Sequence, residues 1–277
     1  MIRALAIFLA ALVVATPAVA QNAQIPGFWD TRERLERPQI TNLPRLRFLT
    51  TVDFPPFNML DADGQLVGLH VELARDICRQ LALDAVCQIQ ALPWDELIPA
   101  LENGEGEAII AGLAPTIELR EQLAFSRAYL KFPARFVGAR SSSLAEPIYR
   151  SVAGKRIGVV RGSTHEAMLR DLFPDAQPVV FSRFEAMTGS LQEGDIDAAF
   201  SDGMQLAFWL NGDERGDCCD FAGGPYLVPE YTGQGLTIAV ELDNVALAKA
   251  IDAALREIDA SGRFAELYLR YFPVSFF

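Results

Sequence analysis

Short apolar runs alternate with stretches of helical periodicity along most of the chain. The runs of strand length cover residues 47–52, 107–111, 155–160, 198–200 and 236–240. Apolar side chains at helical spacing predict a helix over residues 71–81. Further helices are predicted over residues 94–101 and 245–258, and residues 264–271 close the chain. Strands that alternate with helices are typical of an α/β protein with parallel strands.

One internal repeat suggests two lobes of like topology. Residues 101–108 match residues 191–198: in each, a helix ends at a glycine and an acidic residue enters a strand. In α/β sheets, ligands bind beyond the carboxyl ends of the strands. Two facing lobes therefore bring four loops into one cleft, namely residues 53–57, 112–120, 161–166 and 202–205.

The first twenty residues have the pattern of a secretory signal peptide. Arg3 precedes an almost wholly apolar run over residues 4–15, and residues 18–20 (Ala-Val-Ala) fit a small-residue cleavage site. We predict cleavage after Ala20 and export to the periplasm. Residues 21–44, with three prolines and mixed charge, are predicted to form an N-terminal arm.

Composition and charge narrow the function classes. Lys and Arg number 24 against 36 Asp and Glu, for a net charge of −12. This balance argues against binding nucleic acid or an anionic membrane surface, both of which need basic patches. With 2 His and 4 Cys, the chain has little material for a zinc site. We expect no metal and no cofactor.

Export favours disulfides among the four cysteines. Cys78 falls late in a predicted helix and Cys87 opens the next strand, so a bridge would join the two elements and contribute about 2.5–3 kcal/mol. Two buried thiols are the alternative. Cys218 and Cys219 are adjacent, where a bridge needs unusual backbone geometry; a free thiol is the alternative, and neither residue is assigned a function.

Several motifs, in order and at family spacing, resemble the bacterial extracellular solute-binding proteins of family 3. These are periplasmic receptors of polar amino-acid ABC transporters, and the lysine/arginine/ornithine- and histidine-binding members are the most similar in pattern. The resemblance spans roughly residues 45–273. It is carried by residues 54–57, 64–74, 94–101, 154–159 followed by 162–164, 197–202 and 262–264.

The resemblance implies a two-lobe periplasmic-binding-protein fold of type II, joined by two crossover hinge strands and closing on a ligand in the interlobe cleft. Lobe 1 would comprise residues 45–134 and, on its return, 227–277, and lobe 2 residues 135–226. The crossings would lie near residues 134–137 and 223–225. The Cys78/Cys87 pair falls where the basic-amino-acid binders have their disulfide.

In lobe 2, the resemblance implies a site for an amino-acid zwitterion. A turn containing Ser163 and Thr164 would bind the carboxylate at a helix N-terminus, and Asp202 would bind the ammonium. For both, an ordinary helix cap is the alternative. His165 would read the ligand side chain or be solvated, and Arg161 would be a site cation or a surface charge.

In lobe 1, Phe54 and Trp94 match the aromatics that sandwich the ligand side chain, with core packing as the alternative. Phe57 is expected in the core. The loop after the lobe 1 strand departs from the family: Gly112 and Ala114 stand where hydroxyls are common. Arg120 stands one place later than the family arginine, which is about 100° of rotation on a helix.

These residues predict a non-enzymatic receptor that captures an amino acid, or a related small polar amine or carboxylate, for an inner-membrane ABC permease. We expect a monomer. No nucleophile–base signature is found in the sequence. A cyclohexadienyl dehydratase on the same fold, with Asp202 or Glu185 as the acid, is one alternative, and a free-standing ligand-sensing module is another.

Overall fold

The computed structural model describes residues 29, 34–38, 40, 43–140, 144–212, 218–272 and 275–277. The predicted signal peptide and its cleavage site lie outside these residues. Within the described part of the chain, every helix is too short or too polar to cross a membrane.

The first sheet has five strands in the order β5-β1-β6-β13-β7. Its strands are β1 Leu46–Thr50, β5 Cys87–Ala91, β6 Ala108–Ile109, β7 Leu123–Phe125 and β13 Ala239–Glu241. Strand β1 is parallel to β5 and β6, while β13 is antiparallel to β6 and β7. A small antiparallel sheet stands beside it, made of β2 Asp53–Phe54, β3 Asn58–Leu60 and β4 Leu66–Val67.

The helices of this half differ in burial: the long ones bury an apolar face, whereas the one-turn helix over residues 117–120 has no buried residue. They are α1 Leu69–Gln80, α2 Leu97–Glu102, α3 Ile117–Arg120, α9 Val245–Ala260 and α10 Arg263–Tyr271, with 3₁₀ turns at Asp84–Val86 and Trp94–Glu96. Helices α1, α9 and α10 share one buried apolar cluster. In the N-terminal arm, Trp29, Ile40 and Leu43 pack against the same cluster.

The second sheet also has five strands, in the order β10-β9-β11-β8-β12. These strands are β8 Ala134–Ala139, β9 Arg156–Val160, β10 Gln177–Phe181, β11 Ala198–Asp202 and β12 Cys219–Tyr226. The helices of this half are α4 Ile148–Ser151, α5 Thr164–Leu172, α6 Phe184–Glu193, α7 Gly203–Asn211 and α8 Pro229–Thr232. Strand β9 is parallel to β10 and β11, while β8 is antiparallel to β11 and β12.

The chain passes between the two sheets twice. The first crossover segment, residues 126–133, joins β7 to β8, and the second, residues 227–238, joins β12 to β13. The two segments meet in an antiparallel bridge between Leu130 and Leu236. The crossings expected near residues 134–137 and 223–225 adjoin the second-sheet ends of these segments: residues 134–137 lie within β8, and residues 223–225 fall at a register shift between Ala222 and Tyr226 of β12.

The repeat seen in the sequence recurs as a repeat of hydrogen bonds. In the first sheet, the Arg47 backbone N–H donates to the Glu107 carboxylate at 2.6 Å. In the second, the Arg156 backbone N–H donates to the Asp197 carboxylate at 2.8 Å. In both, the acidic residue three positions after the glycine at the helix end accepts a backbone N–H at the start of the neighbouring strand.

Both cysteine pairs are disulfide-bonded. Cys78 of α1 is bridged to Cys87 of β5, as expected. Cys218 and Cys219 form a bridge between neighbours, so neither is a free thiol. Cys219 is buried against the second sheet, in a cluster with Val137 and Leu206.

Candidate functional site

An aromatic wall forms at one edge of the first sheet. Phe54, the last residue of β2, stacks on Phe57 with ring centroids 4.6 Å apart and planes 19° apart. Gly112, in the loop that leaves β6, has φ +90°, and a β-carbon built there would lie 2.6 Å from Phe54 Cε1. We call Phe54 and Phe57 the aromatic wall. Phe57 is fully buried, as expected, whereas Phe54 is only half-buried.

Trp94 and Ala114 leave the same edge and face solvent. Trp94 begins the 3₁₀ turn after β5, and because β5 is parallel to β1, its loop lies beside that of Phe54. The Trp94 side chain is 52% exposed, which excludes the core-packing alternative. Ala114 is also exposed. A ligand could reach both residues.

Arg120 is not brought together with the aromatic wall. It ends α3, where its Nη2 donates to Gln234 Oε1 at 3.0 Å and its guanidinium lies 5.7 Å from the Phe125 ring centroid. These partners belong to the second crossover segment and to β7. Arg120 lines a cavity of about 480 Å³ there. Its predicted reach to the ligand carboxylate stays a prediction.

In the second sheet, the turn after β9 is a helix cap that keeps donors exposed. Ser163 Oγ accepts the Glu166 backbone N–H at 3.1 Å and donates to the Val160 carbonyl at 2.7 Å. Thr164 begins α5 and is exposed, and no described residue is a partner for its hydroxyl. Ser163 therefore caps the helix, while Thr164 beside it is exposed.

Glu166, which the sequence analysis missed, shows that this turn binds a carboxylate. Its Oε2 accepts the Gly162 backbone N–H at 2.8 Å. The Arg170 side chain and the Gly162 N–H hold the pKa of this carboxyl below its usual range. Ser163 and Glu166 have the spacing of a capping box, and that signal could have identified the residue.

Asp202 ends β11 at the same edge, because β11 is the parallel neighbour of β9. Its carboxylate caps α7 by accepting the Gln205 backbone N–H at 2.9 Å. Burial raises the pKa of this carboxyl, and the N–H groups of Gln205 and Met204 act in the opposite direction. A ligand ammonium beside it would supply the positive charge that this half-buried carboxylate lacks.

His165 and Arg161 flank the turn differently. His165 is half-buried, 6.2 Å from the Phe200 ring centroid, and burial lowers its pKa to about 4, so it is neutral at pH 7. The solvated alternative does not describe it. Arg161 is exposed, its backbone N–H donates to Phe181, and its charge contributes to lowering the pKa of Glu166.

A buried polar chain behind the aromatic wall was also missed. Asn58 Nδ2 donates to Thr51 Oγ1 at 2.6 Å, and Asn58 Oδ1 lies 2.6 Å from His70 Nδ1. His70 Nε2 lies 2.7 Å from the Tyr129 hydroxyl. We call these four residues the buried polar chain; each is at most 3% exposed. Burial lowers the pKa of His70 to about 3.

Arg135, on β8, is a buried cation that the sequence did not reveal. Its Nε donates to the Gly223 carbonyl at 2.9 Å and its Nη1 to the Phe276 carbonyl at 3.2 Å. The guanidinium lies 4.3 Å from the Phe221 ring centroid. Burial lowers the pKa of this group. Arg135 thereby ties β8 to β12 and to residues 275–277.

Nothing in the described part of the chain groups three or more metal-ligating side chains. The polar groups at the two sheet edges are instead an N–H-rich turn and a carboxylate on one side and aromatic faces on the other. This set can hold a small molecule that carries both an anion and a cation.

Comparison with known proteins identifies the family. Residues 46–274 match the model of bacterial extracellular solute-binding proteins, family 3. ABC transporter arginine-binding protein 1 of Escherichia coli (strain K12) is 29% identical, over 83% of this chain and 91% of its own. The lysine/arginine/ornithine-binding periplasmic protein of the same strain is 28% identical, over 82% and 87%.

Two solved structures share the fold at low identity. The L-cystine solute receptor of Neisseria gonorrhoeae, in an unliganded open conformation, is 18% identical with a TM-score of 0.68, over 83% of this chain and 93% of that chain. An ancestral cyclohexadienyl dehydratase gives the same values. The chain has the two-lobe fold and belongs to the bacterial extracellular solute-binding proteins, family 3.

Proposed function

We propose that the chain is a periplasmic receptor that captures an amino acid, or a related small polar amine or carboxylate, and delivers it to an ABC permease. The observation that carries this proposal is that the turn at residues 162–164 and the Asp202 carboxylate lie at the same edge of the second sheet. The arginine-binding name of a relative supports the substrate class.

The two ends of a zwitterion have complementary partners in this pair. The Gly162 N–H of the turn already donates to one carboxylate, that of Glu166, so a ligand carboxylate would be held by the remaining donors of the helix end. Asp202 would take the ammonium. The half-buried Phe54 and exposed Trp94 would contact the stem of the ligand across the cleft.

Thermal unfolding of refolded, ligand-free protein against the twenty amino acids tests the proposal. A ligand at 100 times its Kd raises the free energy of unfolding by about 2.7 kcal/mol, which is about 5–10 °C in Tm for a chain of this size. We expect such a shift with L-arginine or another amino acid. No shift across the set would refute the amino-acid assignment.

Asp202→Asn should abolish the shift while the protein stays folded. Asparagine caps helices as well as aspartate does, so the change removes the charge and keeps the cap. The matched control is Asp259→Asn, because burial also raises the pKa of Asp259. This residue lies on α9, in the half of the molecule that contains the first sheet. The control should bind like the parent.

A cyclohexadienyl dehydratase is the second candidate. The raised pKa of Asp202 is the direction that a general acid requires, and the ancestral dehydratase shares the fold. Against it, two backbone N–H groups favour the ionised form of Asp202. Prephenate consumption by the purified protein, lost in Asp202→Asn, would establish the enzyme; stable prephenate favours the receptor.

The proposal also specifies where the protein acts and its oligomeric state. The relatives include a protein named as periplasmic, and we propose that this chain is exported by a signal peptide cleaved after Ala20 and acts as a monomer. N-terminal sequencing of the exported protein should begin at Gln21, and sedimentation should give the mass of one chain. A cytoplasmic, uncleaved protein would contradict this assignment.

A further inference from the structure

We infer that His70 is a positioning residue of the proposed ligand site: through Asn58 and Tyr129 it holds the aromatic wall in register with the first crossover segment. The inference rests on the proposed function. None of the residues of the buried polar chain is in the set predicted to touch ligand, so their role would be to hold Phe54.

The hydrogen bonds determine the form of the His70 ring. Asn58 Nδ2 donates to Thr51, which leaves Asn58 Oδ1 as an acceptor toward His70 Nδ1. The proton of the neutral ring is therefore on Nδ1, and Nε2 must accept from the Tyr129 hydroxyl. The chain of donors runs in one direction from Tyr129 and is complete only with a neutral histidine.

The same ring packs beneath the aromatic wall. The His70 ring centroid lies 4.9 Å from that of Phe57 and 6.0 Å from that of Phe54. The His70 backbone N–H also donates to the Phe57 carbonyl at 2.9 Å. The segment that carries the wall is thus held by the backbone of His70 at Phe57 and by its side chain at Asn58.

The other end of the chain reaches the hinge. Tyr129 belongs to the first crossover segment, one residue before Leu130, which bridges to Leu236 of the second. Its backbone N–H donates to Leu236 at 3.0 Å. Tyr129 is 3% exposed, so its hydroxyl has no water to replace His70. The position of the wall is therefore coupled to the segment that must bend when the lobes close.

Tyr129→Phe breaks the chain with the loss of one hydroxyl, and Tyr268→Phe is its matched control. Tyr268 is equally buried in the same apolar cluster, and its hydroxyl accepts the Phe276 backbone N–H at 3.1 Å, away from the wall. Both variants remove a buried hydroxyl that makes a described hydrogen bond, so both should lose stability to a similar degree. Only Tyr129→Phe removes a partner of His70.

Two readouts separate positioning from stability. Amide hydrogen exchange of the ligand-free protein should rise about tenfold at residues 51–60 in Tyr129→Phe and stay unchanged there in Tyr268→Phe. The Kd for L-arginine, measured by calorimetry well below Tm, should rise about tenfold in the first variant only. The unpaired nitrogen of His70 shifts the residues around it, and the cost of an unpaired buried acceptor corresponds to a change in Kd of that order.

A third variant covers the case of poor folding. Combining Asn58→Leu, His70→Leu and Tyr129→Phe replaces the linked polar partners together, so no ring nitrogen or amide oxygen of the chain is left unpaired. This variant should recover part of the stability and keep the weakened Kd. Equal exchange at residues 51–60 in the two tyrosine variants would overturn the inference, and so would raised exchange with an unchanged Kd. If exchange rises but the parent protein does not bind L-arginine, the positioning of the wall stands and the arginine form of the proposed function is refuted.

Discussion

Lowering the pH from 7 to 5 should destabilise the protein through its two histidines. Burial lowers the pKa of His70 to about 3 and that of His165 to about 4, whereas both titrate near 6.5 in the unfolded chain. Between these values the unfolded chain binds protons that the folded protein does not. The free energy of unfolding therefore falls as the pH drops below about 6.5 and stops falling near the folded pKa.

The magnitude follows from the shifts. For His70, linkage gives a loss of about 2 kcal/mol between pH 7 and pH 5, and about 5 kcal/mol once the pH falls below 3. His165 is less buried and should contribute somewhat less than 2 kcal/mol over the same interval. Carboxyl groups whose pKa is lowered, such as Glu72 and Asp197, contribute a loss of stability only at lower pH. Burial raises the pKa of Asp202 and Asp259, and these two carboxyls would offset part of the histidine effect. The comparison is therefore made in an Asp202→Asn, Asp259→Asn background, in which this interval reports the histidines.

Urea unfolding at pH 7, 6 and 5, followed by far-UV circular dichroism, measures the effect. In this background, the protein with both histidines should lose about 3–4 kcal/mol from pH 7 to pH 5 and His165→Gln about 2 kcal/mol, which isolates His70. If the stability of His165→Gln is the same at pH 7 and pH 5, then the folded protein accommodates a charged His70, and the reasoning from burial is wrong.

Three further changes have expected outcomes. Replacing Cys78 and Cys87 together by Ser opens a bridge of sequence separation 9 and should lower the free energy of unfolding by about 2.5–3 kcal/mol in urea; no loss would mean that the bridge is dispensable. Gly112→Ala places a methyl group 2.6 Å from Phe54 Cε1 and should weaken amino-acid binding in calorimetry by about tenfold or more, whereas Gly64→Ala, also at positive φ but with nothing within 4 Å, should not. Ser163→Ala should cost about 1 kcal/mol in urea unfolding and Ser163→Asp much less, because aspartate also caps helices; equal losses would contradict the capping role.

The fold was predictable where local patterning decides it. The helix over residues 245–258 and the strand over 155–160 follow from apolar periodicity, and both recur within two residues in the structure. The strand predicted over 236–240 begins only at Ala239. Leu236 instead pairs with Leu130, and the Ile238 N–H donates to Ser126 Oγ. Contacts between the two crossover segments therefore replace the strand pairing predicted for residues 236–238.

The candidate site was predictable only in part, because contacts between residues far apart in the sequence hold several of its side chains. Ser163 caps the helix after β9 and Asp202 ends β11, positions that local sequence reveals. The partner of Arg120 is Gln234, 114 residues away, and that of His70 is Tyr129, 59 residues away. No local pattern specifies contacts of that range. His70 did carry one signal, since it is a polar residue next to Val71 on the buried face of a helix.

The contact between Phe54 and Gly112 constrains how this receptor can diverge. Any residue larger than glycine at position 112 must push the Phe54 ring away. Substitutions at position 112 are therefore disfavoured as long as Phe54 keeps its position. Ala114 and Trp94 leave the same edge with exposed side chains and can change without disturbing the stack. In the proposed site, descendants with new ligand preferences should therefore differ first at positions 94 and 114, while 54 and 112 are inherited as a pair.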